Sequence, residues 1–516
     1  MPQPPDIRTL GQLRAAGYRP RSVKDELRAN LIEKLRAGEE VFPGILGYEQ
    51  TVVPQLHHAI LARHDFILLG LRGQAKSRIV RLLTRLLDEW VPVVEGSEIN
   101  DDPFRPVSKH ARELVAQCGD ATPVAWLHRS ARYGEKLATP DTSIADLIGD
   151  IDPIKAATRK LTYADEEVIH FGIIPRTNRG IFAINELPDL QPRIQVGLLN
   201  IMEEQDVQIR GFNVRIPLDV QMVFTANPED YTNRGAIITP LKDRIDSQIL
   251  THYPRALEIG VAITQQEAWQ ERGGDGIPRV HVPHYVREVV EQIAFEARES
   301  EYVDQKSGVS ARLTRAALED VISAAERRAL LHDEAETTVR PSDLLAAEPA
   351  VTGKVELVYE GEQEGAQAVA RALVGRAVAA IFKRYFPDPA EKGGAGGGGR
   401  QAYAEVLGWF AKGNHVELDP AMPFDAYARA LDRVDGLREV VRKHSSPATP
   451  AEAASAMEFV LEALHQHSML GKDLVAEGGG ARYGDIMGSV LGQLGRLGDD
   501  DDEDDDFEDY RRRYGS

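Results

Sequence analysis

One cysteine, Cys118, stands in a chain of 516 residues, which excludes an intramolecular disulfide framework and any cysteine-rich zinc site. With no histidine or other base near it in sequence, Cys118 is expected to be a small buried apolar residue. No apolar run approaches the ~20 residues of a membrane-spanning helix. The opening Met1-Pro2-Gln3-Pro4-Pro5-Asp6 lacks the basic region and apolar stretch of a secretory signal. The expectation is a cytoplasmic protein with no membrane contact. A basic stripe is missing as well, so nucleic acid is not an expected partner. The formal net charge is −20, but ten of the eleven residues from Asp499 to Asp509 are acidic and carry half of it. Such a block repels itself and is expected to be a disordered tail.

Apolar residues make up 42% and charged residues 28% of the chain, as in ordinary globular proteins. The length allows two to four domains. Residues 1–40 read as a polar leader with one helix near Val23–Leu35. Residues 41–255 read as one α/β unit, in which 170–255 alternate short apolar runs with helical patterns, the mark of a mainly parallel sheet. Within them, 90–164 is irregular and is expected to build loops and a helical insertion. Residues 256–350 read as a small helical domain, with stripes at Val286, Val289, Val290, Ile293 and at Leu313, Leu318, Val321, Ile322. A helical extension (351–390), a glycine-rich linker (391–400), a helical region (401–498) and the acidic tail (499–516) complete the chain.

The most informative stretch is Phe66-Ile67-Leu68-Leu69-Gly70-Leu71-Arg72-Gly73-Gln74-Ala75-Lys76-Ser77. A buried strand runs into a glycine-bearing loop ending in Lys-Ser, and an amphipathic helix follows at Ile79, Leu82, Leu83, Leu86 and Leu87. This is the context of a phosphate-binding P-loop. Backbone amides from Gly70 to Ala75 would face the phosphates of ATP, Lys76 would reach the β- and γ-phosphates, and Ser77 would hold Mg²⁺. Ala75 stands where the motif has its second glycine, and its methyl group is accommodated if φ stays negative.

Hydrolysis needs a partner carboxylate. Gly180-Ile181-Phe182-Ala183-Ile184-Asn185-Glu186 is an apolar strand closing in Asn-Glu, where a Walker B strand closes in Asp-Glu. Glu186 would polarise the attacking water. Asn185 can accept a hydrogen bond from a metal-bound water but brings no charge, so weaker Mg²⁺ affinity or slower turnover is expected. Val220–Ala226 reads as another strand, and Asn227 after it would sit beside the γ-phosphate. Arg244, in Thr239-Pro240-Leu241-Lys242-Asp243-Arg244, would stabilise charge on a neighbouring subunit's phosphoryl group.

On these residues the stretch from Gly44 to about Leu331 resembles an AAA+ ATPase of the magnesium-chelatase ATPase-subunit and MoxR-like group. Phe171–Ile181, with Thr177-Asn178-Arg179-Gly180 leading into the Walker B-like strand, is especially similar, and Asp150–Ala156 resembles the start of that group's helical insertion. The resemblance implies a P-loop core with a mainly parallel sheet, an α-helical lid and a helical C-terminal region. It also implies a hairpin turning at Gly211, a sensor arginine at Arg312, and an adenine pocket lined by Ile45, Leu46 and Gly47. Further implications are a homo-oligomeric, hexameric ring and a partner bearing a von Willebrand A domain. Two other functions stay open at this point: an ATP-gated assembly scaffold with little hydrolysis, and a sigma-factor-dependent transcription activator. Against the latter, the sequence holds no Gly-Ala-Phe-Thr-Gly-Ala loop.

Overall fold

The computed structural model describes residues 3–159, 166–209, 215–228, 236–391, 399–475 and 480–486. The hairpin turn at Gly211, the glycine run from 393 to 398, the end of the expected helical region beyond 486, and the acidic tail lie outside them. The chain forms two units, Met1–Tyr253 and Pro254–Ser516.

The first unit is built on a five-stranded sheet. In chain order its elements are α1 (Val23–Ala37), α2 (Val52–Leu61), β1 (Phe66–Leu69), α3 (Lys76–Leu82) and β2 (Tyr133–Leu137). There follow β3 (Gly180–Asn185), α4 (Leu199–Glu203), β4 (Val220–Ala226), α5 (Thr239–Arg244) and β5 (Ser247–Leu250). The strands lie in the order β5-β1-β4-β3-β2, and every neighbouring pair is parallel. All six residues of β3 are buried, as are the last six of β4, because central parallel strands are covered on both faces. One face, with Phe66, Leu68, Ile181, Ala183 and Val223, packs on Leu27, Leu56, Ile79 and Val80. The other, with Ile67, Phe182, Ile184 and Phe224, packs on Ile174, Leu187, Leu198 and Ile201.

Residues 90–164 carry helices (Lys109–Cys118, Ile144–Leu147 and Pro153–Arg159) and, beyond the loops and helical insertion expected, strands as well. They contribute the edge strand β2, an antiparallel pair Trp90–Val94 with Val124–His128, and Gly149–Ile151 paired with Ile169–Phe171. The strand β2 reads Tyr-Gly-Glu-Lys-Leu, whose charges hide it from a hydrophobicity pattern. Cys118 is also corrected: it is exposed, ending the helix Lys109–Cys118, whose only buried residue is Ala111.

The second unit is mainly helical, with α6 (His284–Glu299), α7 (Arg312–Leu331), α8 (Ala366–Tyr385) and α9 (Pro450–Gln466). Both expected stripes on α6 and α7 are buried. One continuous apolar core runs from Leu257 to Tyr483. At its centre, every residue of α9 from Ala454 to Leu464 is buried, as expected of a helix enclosed on all sides. Within the expected helical region, Phe424–Asp432 and Leu437–His444 are separate helices, broken at Gly436 with φ 75°. A three-stranded antiparallel sheet (Val416–Leu418, Gly480–Gly484, Gly471–Val475) appears where only helix was expected.

Candidate functional site

The loop from Gly70 to Ala75 joins the C-terminal end of β1 to α3, beside the point where the strand order reverses. That is where open α/β sheets bind ligands. A Cβ at Gly70 would lie 2.0 Å from Thr251 Oγ1 and 2.2 Å from Gln74 Oε1, so only glycine fits. Thr251 donates to Gln74 Oε1 at 2.6 Å. Two tyrosines hold the loop's carbonyls: the Tyr48 hydroxyl shares its one proton between Gln74 O at 3.1 Å and His252 O at 2.7 Å, and that of Tyr253 donates to Arg72 O at 2.9 Å. Burial pushes the Tyr48 phenol up to about 12, keeping it a donor. Gly73 takes φ 76°.

Ala75 overturns the expectation of a negative φ: it sits at φ 58°. The loop must turn left-handed there to enter α3, and for a residue with a Cβ this costs about 1–2 kcal/mol. The site tolerates strain rather than avoiding it.

Lys76 is buried. Its Nζ donates to Gly70 O, to Leu71 O at 3.0 Å and to Asn227 Oδ1 at 2.6 Å. Asn227 Nδ2 in turn donates to Glu186 Oε2 at 2.8 Å. Register explains the convergence: Leu69 lies opposite Ala226, and Phe224 opposite Ile184, so β1, β4 and β3 end level with one another. Glu186 also carries a left-handed backbone, φ 54°. The structure thus brings Lys76, Asn227 and Glu186 into one hydrogen-bonded chain.

Asn185 points to the α3 face. Its Oδ1 accepts from Thr225 at 3.1 Å and its Nδ2 donates to Glu135 Oε1 at 2.5 Å. Burial opposes ionisation of Glu135, but hydrogen bonds from Arg81, Asn185 and Tyr133 outweigh it and hold the carboxyl below its ordinary range. Ser77 is exposed at the start of α3.

The other expected residues lie outside this hydrogen-bonded chain. Ile45 is buried in the core with Phe42 and Leu27. Gly47, at φ 81°, donates its amide to Glu49 Oε1 at 3.0 Å. Arg244 ends α5, with Nε 2.8 Å from Glu203 at the end of α4 and an NH group 2.9 Å from Pro240 O. Arg312 opens α7 in the second unit, its amide donating to Ser310 Oγ at 3.1 Å. The segment Asn178-Arg179-Gly180 lies at the far end of β3 from Glu186 and acts as a clamp. Asn178 bonds Ile99 O and the Asp219 amide, Arg179 bonds Pro92 O, and Arg132 forms a buried two-bond pair with Glu26 at 2.7 Å each.

For Mg²⁺ the donors present are oxygens of Ser77, Asn185 and Glu186. Among the described residues no group of three or more His, Cys, Asp or Glu could hold a metal. Few hard donors beside a phosphate loop fit an ion that keeps its waters and binds through substrate phosphates. Sequence reasoning missed Glu135, Thr225, Thr251, Tyr48 and Tyr253, which lie outside the motif and meet it only through the sheet.

The family model described as Sigma-54 interaction domain matches residues 158–247, from the insertion through β3 and β4 into β5. The parallel sheet with its phosphate loop is the fold of a P-loop AAA+ core, and the matched segment falls on its β3 and β4. Solved structures similar to the chain include NtrX from Brucella abortus, at 15% identity and TM-score 0.33, covering 57% of this chain and 56% of that one. This chain therefore spans little more than half the length of that protein. Two others are a putative ATPase from Cytophaga hutchinsonii (16% identity, TM-score 0.29, covering 70% and 97%) and the complex between subunits BchI and BchD of magnesium chelatase (20%, 0.33, 62% and 98%). At such TM-scores these likenesses are too distant to carry function. No helix among the described residues is long and apolar enough to cross a membrane.

Proposed function

We propose that this chain binds ATP with Mg²⁺ and hydrolyses it as a ring-forming AAA+ motor of the magnesium-chelatase and MoxR-like kind. The observation that carries this reading is the hydrogen-bonded chain from Lys76 through Asn227 to Glu186 at three level strand ends. Loop amides from Gly70 to Ala75 would receive the phosphates, and Lys76 would exchange its carbonyl partners and Asn227 for phosphate oxygens. Asn227, so released, would hold Glu186 where it takes a proton from the attacking water. Ser77, with Asn185 behind it, would hold Mg²⁺, which neutralises phosphate charge. Arg244, aligned by Glu203, would serve a neighbouring protomer, and Arg312 would act from the helical lid. In this reading the lid runs from 256 to 350, the ring is a cytoplasmic hexamer, and a partner with a von Willebrand A domain receives the motion for metal insertion or remodelling of a client.

Phosphate release by the purified chain tests the proposal. Turnover lost in Glu186→Gln with ATP binding retained supports the motor, whereas ATP binding without turnover in the unaltered chain favours the assembly scaffold, which the uncharged Asn185 makes reasonable. The family match at 158–247 favours a second reading, transcription activation. ATP-dependent stimulation of promoter opening by a sigma-54 polymerase would decide for it.

A further inference from the structure

Asn185 removes a negative charge from the place where P-loop ATPases of the resembled pattern carry one, and the structure puts another charge beside it. Glu135 comes from the edge strand β2, which runs parallel to β3 with Leu137 opposite Asn185. Residues 133, 135 and 137 alternate with 134 and 136, so Glu135 faces the same side of the sheet as Asn185. Its Oε1 is 2.5 Å from Asn185 Nδ2. Arg81 of α3 approaches the same carboxylate with Nε at 3.0 Å and an NH group at 3.2 Å, and the Tyr133 hydroxyl donates at 3.1 Å. Arg81 follows Ser77 by four residues, hence by one helical turn on the same face. Ser77 and the arginine that holds the carboxylate therefore lie on one side of α3.

Stability alone is a weak reason for this cluster. The Arg81 side chain is 65% exposed against 21% for Glu135, and ion pairs open to water contribute little. The orientation of Asn185 is specific: Thr225 donates to its oxygen while its nitrogen is spent on Glu135.

We propose that Glu135 is a positioning residue that supplies, from β2 and through Asn185, the negative charge that position 185 lacks, and so strengthens the hold on a Mg²⁺–nucleotide beside Ser77. This rests on the nucleotide-binding reading above and assigns a carboxylate from another strand to that site. Charge relocation is the test. Affinity for a fluorescent ATP analogue is measured on the full chain in EDTA and across a Mg²⁺ titration. Glu135→Gln is expected to raise the Mg²⁺ midpoint about tenfold, the order for losing one charge near a divalent ion, with affinity in EDTA unchanged. The double variant Glu135→Gln/Asn185→Asp should restore the midpoint. Asn185→Asp alone should bring little gain, because it crowds two carboxylates. An unchanged midpoint in Glu135→Gln, a double variant left impaired, or a tenfold gain from Asn185→Asp alone would each overturn the inference. No analogue binding under any condition would instead sink the nucleotide-binding reading. Should Glu135→Gln not fold, the Asn185→Asp titration still decides.

Discussion

In the first unit, Lys76, Asn227 and Glu186 meet at the open ends of three strands, each from a different element. In the second, Arg328 and Asp343, Lys472 and Glu462, and Tyr427 and Glu458 close on one another inside helical packing. Both sets are polar and both contain buried charge, Lys76 in the first and Arg328, Asp343 and Glu458 in the second, so burial of charge alone does not tell them apart. The difference lies in direction. Groups gathered at the C-terminal edge of a parallel sheet share one space with a glycine loop, where a ligand can enter. Groups along α9 bond partners enclosed in the same core. Even the two glutamates of α9 diverge: burial raises Glu458 to about 7, whereas for Glu462 burial is outweighed by Lys472, Tyr483 and Gln466, which bring it to about 2.

Breaking the second set should cost stability and spare the site. Asp343→Ala leaves the Arg328 guanidinium buried without its carboxylate, and about 3–5 kcal/mol of stability should be lost. Thermal unfolding measures this, and an unchanged transition would show that the pair is not closed as described. A smaller effect concerns pH. The folded pKa of Glu458 is raised, so its contribution to stability is full below its ordinary value of 4.5 and is lost as pH rises through about 7. Glu458→Gln should flatten the fall in stability across that window in pH-dependent denaturant melts, and a slope kept intact would place the proton elsewhere. Smallest is Ala75→Gly. It relieves the left-handed strain at φ 58° but loosens the unfolded chain, so a net gain of no more than about 1 kcal/mol is expected. A loss seen in the same melts would mean that the alanine backbone is not strained.

How much was legible follows the same division. Apolar runs announced β1, β3 and β4, and the stripes announced α6 and α7, because local pattern and burial agree in those segments. The edge strand β2 stayed hidden because Glu135 and Lys136 interrupt it, and with it went the partner of Asn185. The phosphate-loop motif gave the positions of Lys76 and Ser77 through spacing alone. It could not give Tyr48 or Tyr253, whose hydroxyls reach Gln74 and Arg72 only once the sheet is folded. Nor could it give the sign of φ at Ala75, which depends on the turn the loop must make. The three-stranded sheet of the second unit was hidden for another reason: strands such as Val416–Leu418 are three residues long and carry no periodicity.

Isothermal titration of the full chain with ATP and Mg²⁺, run beside Lys76→Ala, bears most directly on whether the first unit's convergence is a nucleotide site. Saturable one-site binding by the unaltered chain, weakened at least about tenfold in the variant (~1.4 kcal/mol or more) while both melt alike, is the expected result. Equal affinity in the two proteins would contradict it.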